Sequence, residues 1–446
     1  MKITLTAKLK LTATPEQFQA LRATQLAYRD ALNHVSAYSF AHGKTGNVHR
    51  LQKALYTEVR GQFGVQAQMA CSIFRQVGAT YRALWTKWRK NQEARAAGYT
   101  KKRFKGLDDA PHYASPTLTY VYGHDYSLKT EQRVSLLTLA GRVIVGYQGY
   151  AKHVSLLRGT ATIGEAKLWY DLSRKRFYLL VALEVETPDS LPTDQRQIVG
   201  IDVGSRYLAT VATTTNTSQF YSGKEVRHQA DHYARMQKRL QQKGTRSATR
   251  RRMALSRRER RLKLNTNHVI ARSILDAHPH SFIGLEDLTG IRERIKRRKY
   301  RRKGKHLVPV SPKARKANRH ASKWAFAELQ SMLVYKAALA GSYCIKVDAD
   351  YTSQSCPRCG STSKANRPNK GLLFVCQNCH YTLHADLVGA RNICLRTLCI
   401  RQAWVYTGQL SVAPDVTDRE AKAARLKEYA EVRWSPVTSL LPLGGE

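Results

Sequence analysis

Acidic side chains are in short supply. The 446 residues carry 32 Asp and Glu against 75 Lys and Arg, a formal net charge of +43. Self-repulsion on that scale opposes a compact fold unless a polyanion neutralises it, so nucleic acid is the leading partner. Long apolar runs are missing too: no stretch of about eighteen or more apolar residues occurs, and nothing reads as a membrane span. Met1-Lys2-Ile3-Thr4 opens directly into an alternating pattern, without the apolar core of a signal peptide. Internal repeats of useful length are absent. Charge-free segments are few, the longest being Tyr207–Gly223, rich in Thr and Ser. What is present is enough for folded cores. Hydrophobic residues make up 42% and charged residues 24%, which excludes a wholly disordered chain. The length suits about three domains.

The eight cysteines are unevenly placed. Cys71, Cys344, Cys394 and Cys399 are scattered and read as ordinary buried small residues. The other four form two Cys-x-x-Cys pairs, Cys356/Cys359 and Cys376/Cys379, with sixteen residues between them. A secreted disulfide scaffold would not cluster its thiols so tightly, so the chain is expected in a reducing compartment. Four thiolates at this spacing close a tetrahedral site for one structural Zn²⁺. A closed site has no open position, so this zinc stabilises and does not catalyse.

Lys2–Lys10 alternates apolar and polar residues, as a half-buried strand does. Thr14-Pro15-Glu16-Gln17 is a helix start, with Thr14 as N-cap and Gln17 closing a capping box. Helical periodicity then runs to about Gly98, which predicts an insertion of three or four helices. Tyr81, Trp85, Trp88, Tyr99 and Phe104 could stack on bases, but their helical spacing reads first as core. Short β runs fill about Thr117–Glu186, and the first strand is expected to rejoin them in a barrel or sandwich. Thr187–Gln195 is a linker. Strands and helices then alternate as in an α/β domain. Strands are expected at Gln197–Asp202, Tyr207–Thr214, Ser281–Asp287 and Tyr343–Ala349. A basic helical segment is expected over Lys224 to about Ala277, and further helices over Trp324–Ala340 and Ala385 to about Leu398. The last 45 residues or so are weakly patterned and read as a partly disordered tail.

Three acids sit where acids are costly. Asp202 ends Ile198-Val199-Gly200-Ile201-Asp202, Glu286 ends Phe282-Ile283-Gly284-Leu285-Glu286, and Asp386 opens the helix after His384-Ala385. Asp287 and Asp348 read as ordinary salt-bridged strand ends. Flanking glycines let another backbone or a ligand come close. Three gathered carboxylates can hold two hard cations, Mg²⁺ or Mn²⁺, and leave room for phosphate. Two basic runs add to this. Arg235–Lys263 holds thirteen Lys and Arg against one acid, and Arg292–Lys305 holds ten against one. Their density predicts phosphate contacts, with Arg297, Arg298, Arg301, Arg302 and Lys303 as candidates, and self-repulsion predicts poor order without a polyanion.

The order of these motifs resembles a known family. Gly-Ile-Asp-x-Gly precedes Gly-Leu-Glu-Asp-Leu and Lys323-Trp324-Ala325-Phe326. Tyr351-Thr352-Ser353-Gln354-Ser355-Cys356-Pro357-Arg358-Cys359-Gly360 follows, then the second cysteine pair, His384-Ala385-Asp386 and Ala390-Arg391-Asn392-Ile393. The pattern is similar to TnpB, the RNA-guided RuvC-like endonuclease of insertion-sequence transposons and a relative of compact type V CRISPR effectors. The match is strong over about Ile198–Leu398 and in layout only before that. Leu387-Val388-Gly389 departs from the polar residue and alanines usual after the third acid.

The resemblance implies a multidomain α+β protein. Its parts would be a wedge β-barrel (1–13 and 105–190) with a helical recognition insertion (14–104), and an RNase H-like (RuvC) α/β nuclease (196–350 and 384–400). A zinc ribbon (351–383) and a C-terminal tail (401–446) complete it. It further implies Asp202, Glu286 and Asp386 as catalytic ligands of two Mg²⁺ or Mn²⁺, and Cys356, Cys359, Cys376 and Cys379 as ligands of one Zn²⁺. Implied partners are a guide RNA from the transposon end and double-stranded target DNA next to a short duplex motif. The expected setting is a monomer with RNA in a prokaryotic, nucleoid-associated cytoplasm. The resemblance also implies that the single RuvC site cuts both strands in turn; no HNH-like second nuclease is visible. The alternatives fit less well. A guided DNA-binding repressor would have degraded acids, a junction resolvase would be far shorter, and no Tyr or Ser recombinase constellation appears.

Overall fold

A computed structural model describes the chain apart from residues 1, 99, 101, 115–116, 160, 173, 188–195, 205, 289–299, 304–305, 310–325, 369–371, 411–418 and 436–446. It divides into two units, Met1–Glu186 and Thr187–Glu446.

In the first unit, β1 (Lys2–Thr12) buries Ile3, Leu5, Ala7, Leu9 and Leu11 and exposes the residues between them. The period of two makes it the spine of a sheet. β2 (Thr117–Tyr120), β3 (Tyr126–Lys129), β4 (Arg133–Thr138), β5 (Gly141–Gln148), β6 (Thr162–Asp171) and β7 (Arg176–Glu186) complete it, in the order β2-β6-β7-β1-β5-β4-β3. The sheet curls toward closure: Tyr126 Oη on β3 donates to the Gly164 carbonyl on β6, and Tyr120 Oη on β2 to the Leu137 carbonyl on β4, both at 2.7 Å.

Between β1 and β2 run α1 (Pro15–Ala41), α2 (Val48–Phe63) and α3 (Ala67–Ala96). The capping box forms: Thr14 Oγ1 accepts from the Gln17 amide at 3.3 Å, and Gln17 Oε1 from the Thr14 amide at 3.1 Å. Tyr81 is fully buried and donates to the Ser36 carbonyl at 2.8 Å, as a core residue does, while Tyr99 lies outside the described residues. A short helix, α4 (Ala151–Arg158), joins β5 to β6.

The second unit is built on a five-stranded sheet. β8 (Ile198–Asp202), β9 (Tyr207–Thr213), β10 (Ser218–Ser222), β11 (Phe282–Glu286) and β14 (Tyr343–Val347) lie in the order β10-β9-β8-β11-β14. The β10-β9-β8 pairings are antiparallel and the β8-β11-β14 pairings parallel. Alternation divides the central strands between two layers. Val199, Ile201, Ile283 and Leu285 pack on α6 (Arg246–Ala277) and α7 (Phe326–Leu339). Ile198 and Phe282 pack on α8 (Ala385–Thr407).

The basic segment expected as one stretch is two helices, α5 (Lys224–Lys243) and α6, broken at Gly244 with φ +66°. Residues 235–263, expected to be poorly ordered, lie in this hairpin instead. Ala248 and Leu255 are buried in it, and Glu259, also buried, takes Lys263 Nζ at 2.8 Å. The surplus arginines face outward: Arg250, Arg251, Arg257, Arg258, Arg260 and Arg261 are exposed. Arg301, Arg302 and Lys303 lie on β12 (Tyr300–Lys303), paired with β13 (His306–Pro309), whereas Arg297 and Arg298 lie outside the described residues.

The C-terminal stretch differs from its weak patterning. α8 continues past Leu398 to a left-handed Gly408 cap, and α9 (Arg419–Glu431) returns to the unit. Leu426 and Tyr429 on α9 pack with Val347 and Ile400. Two large apolar anchors on a helix of alanines and charged residues explain why periodicity was faint there.

Candidate active site and zinc-binding segment

The two strand acids meet because their strands pair in parallel. Gly200 lies opposite Gly284 and Ile201 opposite Leu285, and the next position on each strand is the acid. By alternation, Asp202 and Glu286 share the α8 face with Ile198 and Phe282.

The glycines let α8 onto that face. A Cβ at Gly200 would sit 2.3 Å from the Ala390 carbonyl oxygen and the Cys394 amide, and one at Gly284 would sit 1.7 Å from Thr397 Oγ1. Helix backbone therefore rests directly on strand backbone, and the helix N-terminus comes to the acid-bearing end of the sheet. His384 caps it, accepting from the Asp386 amide through Nδ1 at 3.3 Å. Gly389, one turn along, leaves the space Asp202 needs: a Cβ there would be 2.9 Å from Asp202 Oδ2. The departure at Leu387-Val388-Gly389 is thus accommodated in packing, with Leu387 and Val388 buried.

Electrostatics ties the three acids together. Burial pushes the Asp202 carboxyl well above the usual carboxylate range, and the charges of Glu286 and then Asp386 push it the same way. Arg367 opposes the shift; its Nη2 lies 3.9 Å from Asp386 Oδ1. Glu286 is raised by its own burial, against the Thr352 hydroxyl, which donates to Oε1, and the Arg396 charge. Gln330 Nε2 donates to the Glu286 carbonyl at 2.8 Å. Asp287 and Asp348 behave as ordinary paired acids, 3.8 Å from Lys346 and 3.7 Å from Arg425 respectively.

The four cysteines converge more tightly. Among the described residues they alone form a set whose ligand atoms all lie within 4.8 Å of one another, with Cys356–Cys379 at 3.7 Å and Cys359–Cys376 at 3.5 Å. Tetrahedral Zn–S bonds of about 2.3 Å place sulfurs roughly 3.8 Å apart, so the cluster could hold a structural zinc. Each knuckle turns through a left-handed residue after its second cysteine, Gly360 at φ +76° and His380 at φ +56°. The second knuckle is the turn of a hairpin of β15 (Leu373–Val375) and β16 (Thr382–His384), which runs into α8. The segment after α9 reaches the first knuckle, the Trp434 amide donating to the Pro357 carbonyl at 2.7 Å.

Reading the sequence missed Thr352, Arg367, Asn392 and Arg396. Thr352 and Asn392 fall inside motif blocks and Arg367 between the cysteine pairs, but no spacing rule singles them out.

Comparison with known proteins covers both halves of this site. Residues 180–290, with Asp202 and Glu286, match the family model described as a probable transposase (OrfB_IS605). Residues 326–393, with the four cysteines and Asp386, match the Cas12f1-like TNB domain. Over these two segments the chain is similar to TnpB-type proteins. The CRISPR-associated endodeoxyribonuclease Cas12f1 of Sulfoacidibacillus thermotolerans is 25% identical over 270 residues, 57% of this chain and 58% of that protein. The putative RNA-guided DNA endonuclease InsQ of Escherichia coli (strain K12) is 44% identical over 66 residues, 15% of this chain and 16% of its own. The TnpB-like protein MJ0751 of Methanocaldococcus jannaschii is 31% identical over 109 residues, 24% of this chain and 33% of its own. The matches to these relatives therefore span less than two thirds of their lengths. Among the described residues, no helix is long and apolar enough to cross a membrane.

Proposed function

We propose that this chain is an RNA-guided DNA endonuclease whose single RuvC-type site is formed by Asp202, Glu286 and Asp386. The observation that carries the reading is the meeting of these acids from two strands and a helix on one end of the sheet. In this reading the five-stranded sheet with α6, α7 and α8 is the RNase H-like nuclease. The near-barrel with its three-helix insertion is the wedge and recognition part, and residues 351–383 are the zinc ribbon.

The donor set fits Mg²⁺ or Mn²⁺: hard carboxylate oxygens, with burial disfavouring the charged forms of Asp202 and Glu286 until a cation compensates them. Bound there, two such ions would activate a water and stabilise the leaving oxygen of a phosphodiester. The chain's own residues hold and orient them. Asp202 and Glu286 are fixed by strand pairing, Asp386 by the helix start, and Arg367 supplies a positive group beside Asp386. The exposed arginines of α6 and the basic run at 292–305 would take the phosphates of the guide RNA or its hybrid with the target strand.

The test is purification with the RNA of its native locus, followed by cleavage of matched DNA. Asp202→Ala, Glu286→Ala and Asp386→Ala should each abolish Mg²⁺-dependent cleavage and retain RNA and DNA binding. A variant that still cuts at near the parent rate would remove that residue from the site. A guided repressor would show binding with no cleavage by the parent protein.

A further inference from the structure

Glu286 is not left to the strand alone. Its Oε1 accepts a hydrogen bond from Thr352 on the loop that follows β14. That loop is tied down by two side chains one turn apart on α8. Asn392 Nδ2 donates to the Thr352 carbonyl at 2.6 Å and to the Ser355 carbonyl at 2.8 Å. The Arg396 guanidinium donates to the carbonyls of Asp348 and, at 2.7 Å, of Asp350. Four carbonyls of one short loop thus rest on one helix face.

Both tethers are buried, Asn392 at 6% and Arg396 at 4% exposure. A charge buried this deeply costs several kcal/mol unless its donors are matched, and a Leu in its place would cost nothing of the kind. Here the donors are matched, and the ring of Tyr429 from α9 lies 5.0 Å from the guanidinium carbon. The same helix carries Asp386 at its first turn. One rigid element therefore sets Asp386 directly and Glu286 through the loop.

We propose that Thr352 is a positioning residue for the cation site, its hydroxyl holding Glu286 by Oε1 so that Oε2 is the oxygen offered to a divalent cation, with Asn392 and Arg396 fixing the loop that brings it there. The proposal rests on the metal-site reading of Asp202, Glu286 and Asp386. Removing the hydroxyl leaves the acid in place with a wider range of rotamers. Partners of this kind typically shift metal affinity by about 10–100-fold when removed.

The experiment is Mn²⁺ binding to the full-length, zinc-loaded protein, read by the electron paramagnetic resonance of free Mn²⁺ and by calorimetry. Thr352→Val should weaken binding about tenfold or more with an unchanged melting temperature, and Thr352→Ser should restore most of it. Arg396→Lys keeps the charge but loses the fork, so it should weaken Mn²⁺ binding as well; it also carries the test should Thr352→Val fail to fold. Equal affinity in the parent, Thr352→Val and Arg396→Lys, with loss in Asp202→Asn, would overturn the positioning role and leave the metal site standing. Parent protein that binds no Mn²⁺, or binding untouched by Asp202→Asn, would overturn the metal-site reading and this proposal with it.

Discussion

Asp202→Asn should stabilise the protein in divalent-free buffer. Asp202 and Glu286 follow the Leu285–Ile201 pair on adjacent parallel strands, whose spacing is about 4.8 Å. Two unit charges ~5 Å apart at an effective dielectric of ~20 repel by about 3 kcal/mol. Asp386 adds to the repulsion, and Arg367 offsets part of it. Burial and these neighbours raise the Asp202 pKa in the folded state. The folded chain therefore holds this proton more tightly than the unfolded chain. Stability is fully present below the unfolded carboxylate pKa of about 4 and is lost as pH rises from there through the folded pKa. An isosteric amide escapes that loss, and the expected gain at pH 7 is on the order of 1–3 kcal/mol. For a unit of this size each kcal/mol moves the melting temperature by about 2–4 °C. The assay is thermal melting in resin-treated buffer with zinc retained, at pH 7 and near pH 4. Added Mg²⁺ should raise the melting temperature of the parent and leave the variant nearly unmoved. A variant that melts at or below the parent at pH 7, or a gain undiminished near pH 4, would refute the reasoning.

Cys376→Ser should reduce zinc from one per chain to near none by elemental analysis and destabilise the second unit by several kcal/mol, because zinc binding is part of its folding free energy. Zinc-free parent protein that is active and unchelated would remove the site. Gly200→Ala should cost roughly 1–3 kcal/mol and depress cleavage, since a Cβ would meet α8 backbone at 2.3 Å and push Asp386 away with the helix; unchanged melting and activity would contradict the close approach. Replacing four of Arg297, Arg298, Arg301, Arg302 and Lys303 by Ala should weaken binding evenly across guide sequences. The logarithmic salt slope should flatten by up to about 3–4 if each lost charge met a duplex phosphate. Unchanged affinity and slope would make this run a solvated face.

What could be read without coordinates was whatever local pattern controls. The alternation in β1, the Thr14 capping box, the Cys-x-x-Cys knuckles and an acid closing each apolar strand are all local signals, and each is found in the structure. The glycines beside the acids were legible as places of close approach, but not what approaches: α8 lies far along the chain from both. Thr352, Arg367, Asn392 and Arg396 were not legible. Their roles depend on which loop lies against which helix face, and a buried arginine has the same letter as a solvated one. The order of residues 235–263 was misjudged because charge density was weighed without the partner helix. α9 was missed because only a few of its residues reach the core.

The direct seating of α8 on β8 also bears on how the chain comes to be folded. The Cys394 thiol reaches the Ile198 carbonyl across 196 positions of sequence, and β8, β11 and β14 come from three separate stretches. Such non-local pairings are slow to form, because long loops must close before the contacts reward them. On the ribosome, β8 and β11 emerge well before the helix that covers their glycine-lined face, so a slot of bare strand backbone and apolar side chains waits open for the rest of synthesis. Misassembly at that slot, with another chain's strand or helix in place of α8, is the characteristic hazard of this architecture. Yield of folded protein should therefore respond to translation speed after residue 286 and to chaperone supply more than to substitutions in the fast, local helices α1–α3.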